Sequence, residues 1–233
     1  MVALGVDQIR QYQSWFQGAR VGLLTSITGR DSNLRSTIEV LREVCHLTAL
    51  FGPEHGVRGD VGAGEDVSTY IDAATGLTVY SLYGSAGKHF TQEMLDQFDI
   101  LVYDIQDIGV RFFTFISTLY NALTDCAKAG KTLVVLDRPN PLGGELVEGG
   151  ILDMAYSSFV GCYPLAARYA LTSGEAAAMM NEEQGLGCDL KIVPCKGWKR
   201  DQLFSQWGTV WQAPSPALMT FETTLLYPGL CLI

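Results

Sequence analysis

Glu54 and His55 stand side by side at the end of an apolar run, in Phe51-Gly-Pro-Glu-His-Gly56. Two further polar clusters also follow apolar runs directly: Asp104-Ile-Gln-Asp-Ile-Gly109, continuing to Arg111, and Asp137-Arg-Pro-Asn-Pro141. Immediately after a buried strand a carboxyl can be partly withdrawn from water, the setting a general acid needs, so Glu54 is the leading candidate for proton transfer. His55 either holds Glu54 by a hydrogen bond or is bonded to backbone. Asp104 and Asp107 are three positions apart, so only one of them need face a ligand while the other caps or orients. Arg111 and Arg138 have two readings, bidentate contacts to a ligand carboxylate or phosphate, and internal salt bridges to Asp104 or Asp137. Any single aspartate after a strand can be a helix cap. Three clusters that also contain Glu, His, Gln, Asn and two Arg are poorly explained by capping alone.

The elements that position these clusters follow from the apolar pattern. Strands are expected at Val21–Thr25, Leu47–Phe51, Leu77–Leu82, Ile100–Ile105 and Thr132–Leu136. Helical spacing begins at Ser36, with Ile38, Leu41 and Val44 on one face. It recurs from a Thr91 cap through Phe98, and over Phe112–Ala129 with Gly130 just past the end. Strands alternating with helices predict a doubly wound, mostly parallel α/β sheet of Rossmann-like type. In such sheets ligands bind beyond the strand C-termini, where all three clusters lie.

Between Gly52 and Gly76 runs a glycine-rich stretch long for a loop, carrying Arg58, Asp60 and Glu65. Such loops are functional more often than not. Beyond Pro141 the pattern is irregular to Leu171. A helix then starts at Thr172, whose Glu175 completes a capping box, and a strand at Leu190–Pro194 either extends the sheet or opens a second subdomain. The expected division is a core over 1–150, and over 151–233 a continuation of the core with the start of a smaller C-terminal subdomain.

Several chemistries lose support. A net charge of −9 disfavours nucleic-acid and anionic-membrane partners. No apolar run is long enough to span a bilayer, and residues 1–20 lack the pattern of a signal peptide. The cytoplasm is the expected compartment, or the periplasm or exterior if a signal has been removed. The six cysteines form no C-x-x-C pair and read as buried free thiols. Gly130-Lys-Thr132 mimics the end of a phosphate loop, but position 125 is Asp and the tripeptide follows a helix. Nucleophile-elbow and zinc-protease motifs are missing too. Arginines mixed among the carboxylates would repel a cation, so neither a metal nor any other cofactor is expected. Carboxylate acid/base chemistry remains, and glycoside hydrolysis is its commonest form.

Seven segments in order, Val21-Gly-Leu-Leu-Thr25, Phe51-Gly-Pro-Glu-His-Gly56, Val79-Tyr-Ser-Leu-Tyr-Gly84, Asp104-Ile-Gln-Asp107, Val135-Leu-Asp-Arg-Pro-Asn-Pro141, Pro214-Ser-Pro216 and Tyr227-Pro-Gly229, resemble the exo-β-N-acetylmuramidases of the NamZ type. The resemblance spans essentially the whole chain. It implies a bacterial peptidoglycan-recycling glycosidase that releases β-linked N-acetylmuramic acid from non-reducing ends, in a cleft bordered by a smaller C-terminal domain. It implies Glu54 as the leading catalytic residue with His55, Glu65 and Asp107, and Asp104 nearby. The remaining polar positions, Asp104, Gln106, Asp137 and Asn140, are expected to bind substrate, and the sugar's lactyl carboxylate gives Arg58, Arg111 or Arg138 a target. The family pattern continues past Tyr227-Pro-Gly229, so the smaller domain is expected to be largely missing. Two other readings stay open: a sugar- or muropeptide-binding domain without catalysis, and a phosphoesterase with a metal held by Asp104, Asp107 and Asp137.

Overall fold

The computed structural model describes residues 2–59 and 68–231. Seven strands form one sheet: β1 (Arg20–Thr25), β2 (His46–Gly52), β3 (Tyr70–Ile71), β4 (Thr78–Ser81), β5 (Ile100–Asp104), β6 (Thr132–Leu136) and β7 (Asp189–Val193). Their order is β3-β4-β2-β1-β5-β6-β7, and every neighbouring pair is parallel except β3 with β4. From β1 the chain winds outward through β2 and β4, then returns to the other side of β1 and runs out through β5, β6 and β7. This is the doubly wound α/β fold, and the winding reverses between β1 and β5. There Thr25 pairs with Asp104, and the Thr25 hydroxyl donates to the Asp104 carbonyl at 2.8 Å.

Residues 100–104 of β5 and all but the first residue of β1 and β6 are buried. Both faces of these central strands are therefore covered, which is why they read as continuous apolar runs. The helices are α1 (Gly5–Gln8), α2 (Thr37–Val44), α3 (Gln92–Leu95), α4 (Phe115–Ala129), α5 (Ser173–Glu183) and α6 (Phe221–Leu230). Ser36 caps α2, Gly130 ends α4 in the left-handed region at φ 63°, and Thr172 with Glu175 forms the capping box of α5. Phe51, Phe90 and Phe98 form an edge-to-face cluster beneath β2.

Four expectations need correction. The glycine-rich stretch contains the short edge strand β3, antiparallel to β4. Helical spacing from Thr91 yields only the four residues of α3. Residues 112–114 precede α4 rather than belonging to it, because Thr114 is its capping position. Residues 5–16, for which no element is expected, form α1 and a following 3-10 helix. Gly5 sits there because a Cβ would lie 2.4 Å from the backbone nitrogen of Asp137.

The Leu190 strand extends the sheet as β7 beside β6. All six cysteines are free, and burial pushes the thiols of Cys45 and Cys188 up to about 12 and about 11, so both are inert at neutral pH. Among the described residues no helix is long and apolar enough to cross a membrane.

Candidate active site

The turn after β2 carries Glu54. Gly52 starts it, since a Cβ there would be 3.1 Å from the Gly56 Cα and from the Val57 nitrogen. His55 and Gly56 follow with φ of 73° and 71°, and a left-handed non-glycine residue is a strain maintained only by its surroundings. His55 is buried and lines an open crevice with Ile27, Gly59, Pro214, Pro216 and Met219. Glu54 is half-buried, and its Oε2 accepts a hydrogen bond from the Thr114 hydroxyl at 2.8 Å. Tyr83, just beyond β4, is hydrogen-bonded to the same carboxylate. Burial first, and then Glu54, push its phenol above the ordinary value.

Beyond β5 the two aspartates part company. Asp104 is fully buried and takes Arg138 in a bidentate pair, at 2.6 Å from Nε and 2.9 Å from Nη2, with the Thr37 hydroxyl as a third donor. Arg138 is buried too and gives its remaining reach to the Arg30 carbonyl at 2.8 Å. Asp107 Oδ1 accepts from the Gly109 amide at 2.8 Å and from the Tyr169 hydroxyl. Its Oδ2 is buried and has no hydrogen-bond partner among the described residues. Burial pushes this carboxyl up to about 6, opposed by the Tyr169 hydroxyl and by the amides of Gly109, Ile108 and Ile116.

Tyr227 of α6 packs its ring on Phe112 and Phe113, in the turn between Asp107 and Thr114. Its phenol is pushed up by burial, by Cys231, and by the charges of both Glu54 and Asp107. Tyr227 thus lies within electrostatic reach of both carboxylates.

The other expected site residues are held by internal partners. Asp137 Oδ1 accepts the Gly174 amide at 2.7 Å and so caps the first turn of α5, with the Cys195 thiol at 3.4 Å from Oδ2. Burial raises its carboxyl. Gln106 Nε2 donates to the carbonyls of Asp107 and Pro139, at 2.8 and 3.0 Å. Asn140 accepts the Leu142 amide at 2.9 Å and donates to the Leu171 carbonyl at 3.2 Å. Asn140 lies so close to Gly109 that a Cβ there would sit 2.2 Å from its Oδ1. Arg111 donates to the carbonyls of Gly150 and Leu165. Arg58 pairs with Asp72 at 2.9 and 3.2 Å.

Of the two readings for Arg138 the structure shows the internal salt bridge to Asp104, while Arg58 has an internal partner in Asp72 and Arg111 in the carbonyls of Gly150 and Leu165. Asp104 and Asp137 each have internal partners as well. Asp104, Asp107 and Asp137 turn to three different sets of partners, and among the described residues no three His, Cys, Asp or Glu converge as metal ligands. Glu65 and Asp60 lie outside the described residues. Tyr83, Thr114, Tyr169 and Tyr227 were not picked out, although Tyr83 and Tyr227 fall within segments that carry the family resemblance.

A family model described as the N-terminal part of exo-β-N-acetylmuramidase NamZ matches residues 21–222. The chain belongs to this NamZ family. It is 45% identical to the peptidoglycan β-N-acetylmuramidase NamZ of Bacillus subtilis (strain 168), across 100% of this chain and 56% of that protein. Two crystal structures of DUF1343 family proteins from Bacteroides fragilis NCTC 9343 share the fold. One superposes with a TM-score of 0.90 at 45% identity, covering 97% of this chain and 58% of the other. The second gives a TM-score of 0.84 at 32% identity, covering 100% and 61%. The chain thus spans rather more than half the length of these NamZ relatives.

Proposed function

We propose that this chain carries the acid-catalytic half of a glycoside hydrolase that releases β-linked N-acetylmuramic acid from the non-reducing ends of peptidoglycan fragments. Membership of the NamZ family and the B. subtilis relative's named activity support that substrate. The observation that carries the chemistry is Glu54, a half-buried carboxylate held by Thr114 and Tyr83 beyond the end of a central strand.

In this reading the Glu54 carboxyl gives its proton to the glycosidic oxygen as the bond from that oxygen to the anomeric carbon breaks, the leaving sugar departs as a neutral alcohol, and water adds its oxygen to the anomeric carbon while its proton restores the Glu54 carboxyl. Positive charge develops on the sugar ring at that moment. Asp107, ionised above about pH 6, supplies negative charge nearby. Its unpartnered oxygen is buried, so it acts through its field and not by touching the sugar. His55 and Gly56 hold the turn that aims Glu54.

Incubating the chain with a chromogenic aryl β-N-acetylmuraminide tests the reading. Release of the aryl alcohol, with none from the corresponding β-N-acetylglucosaminide, is the expected result. No release from either glycoside contradicts it.

A further inference from the structure

The lactyl carboxylate is what separates N-acetylmuramic acid from N-acetylglucosamine. A chain of net charge −9 needs a local cation to receive it. The three arginines expected for that task are held by Asp72, by two carbonyls, and by Asp104. One cation, against the Tyr83 ring, is in a different position. The ammonium of Lys88 lies 4.9 Å from the centre of the Phe159 ring and 5.5 Å from that of Tyr83, whose own hydroxyl is bonded to Glu54. Among the described residues Lys88 makes no ion pair.

The place is built rather than incidental. The Lys88 carbonyl accepts from Asn121 at 2.9 Å. Its neighbours His89 and Phe90 are bound to Asp125, through the His89 ring nitrogen at 3.0 Å and the Phe90 amide at 2.9 Å. All three anchors run to α4, the helix that begins just after Thr114, so the lysine and the acid share one support. Lys88 and Phe159 line an open groove with Tyr120, Ser157 and Ser158, about 350 Å³ in volume. Tyr83 links the two groups, its ring against the Lys88 ammonium and its hydroxyl bonded to the Glu54 carboxylate. An aromatic face for the sugar with an ammonium at its rim is a chemistry that takes an anionic sugar.

We propose that Lys88 receives the lactyl carboxylate of the muramoyl unit and is the residue that selects it over N-acetylglucosamine. The proposal rests on the glycosidase reading above and adds the specificity determinant to it. A half-buried charge pair of this kind contributes about five- to tenfold in affinity, weakened by salt.

The test is calorimetric titration of the chain with methyl β-N-acetylmuraminide and with the same sugar bearing a lactyl amide in place of the acid. Wild type should bind the acid about five- to tenfold more tightly than the amide. Lys88→Met should remove that preference, and Lys88→Arg should keep most of it. Circular dichroism on Lys88→Met should show an unchanged fold, and the amide's affinity, unaltered by the substitution, checks the groove itself. A preference for the acid that survives in Lys88→Met overturns the role of Lys88 while leaving the glycosidase reading standing. Wild type that binds neither sugar overturns both.

Discussion

The Thr114 hydroxyl donates to Oε2 of Glu54 at 2.8 Å although 60 positions separate the two in the chain. Thr114 occupies the capping position of α4, yet its side chain makes no cap bond. Its hydroxyl therefore serves Glu54 and not the helix. Thr114→Val should leave the melting temperature within a few degrees of wild type, since an exchange that spares the cap costs little. It should lower kcat on a muramide by roughly tenfold, because an acid misaimed by even one lost hydrogen bond transfers its proton less often. Thermal melts and steady-state rates on the same preparation check both parts.

Asp107 makes a prediction in pH. Its folded-state pKa of about 6 lies above the ordinary 3.8, so between those values the folded protein holds a proton that the unfolded chain has released. Stability from this group is fully present below the lower value and is lost as pH rises through the upper one. Asp107→Asn keeps an acceptor for Tyr169 and Gly109 but cannot ionise. Relative to wild type, the amide should therefore gain up to about 3 kcal/mol in urea-unfolding free energy between about pH 4 and about pH 7. A constant difference across that range would mean the carboxyl is not buried in the folded state.

The Asp104–Arg138 pair is a test of scaffold against ligand contact. Both side chains are buried and joined by two hydrogen bonds. Arg138→Met strands a carboxylate in the core, and the expected loss is about 3–5 kcal/mol of stability. Adding Asp104→Leu to that variant should recover much of the loss, because a buried pair replaced on both sides by apolar groups is often close to neutral. A stable Arg138→Met protein whose only defect is a raised KM would return Arg138 to the ligand.

The framework of this fold is legible in the sequence because central strands buried on both faces read as apolar runs. Local signals such as the Ser36 cap, the Thr172–Glu175 box and Gly130 also carry their own chemistry. β3 was hidden because two edge residues carry no periodicity, and α1 because its reason for being helical is a close approach of Gly5 to Asp137, 132 positions further along the chain and invisible locally. Position after a strand singles out Glu54, Asp104, Asp107 and Asp137 alike, and only packing reveals that Arg138 pairs with Asp104 and that Asp137 meets the first turn of α5. Thr114 and Tyr83 reach Glu54 from other elements, a relationship no spacing encodes.

The central claim is that Glu54 is the acid that protonates the departing oxygen, and the comparison that tests it most directly is Glu54→Gln on two muramides differing only in leaving group. On an unactivated sugar–sugar linkage the variant should lose at least about 10²-fold in kcat, and up to about 10⁴-fold. On an aryl muramide whose phenolate leaves without help, the loss should be much smaller, with circular dichroism unchanged in both cases. Equal losses on the two substrates, or near wild-type rates on both, would contradict the assignment.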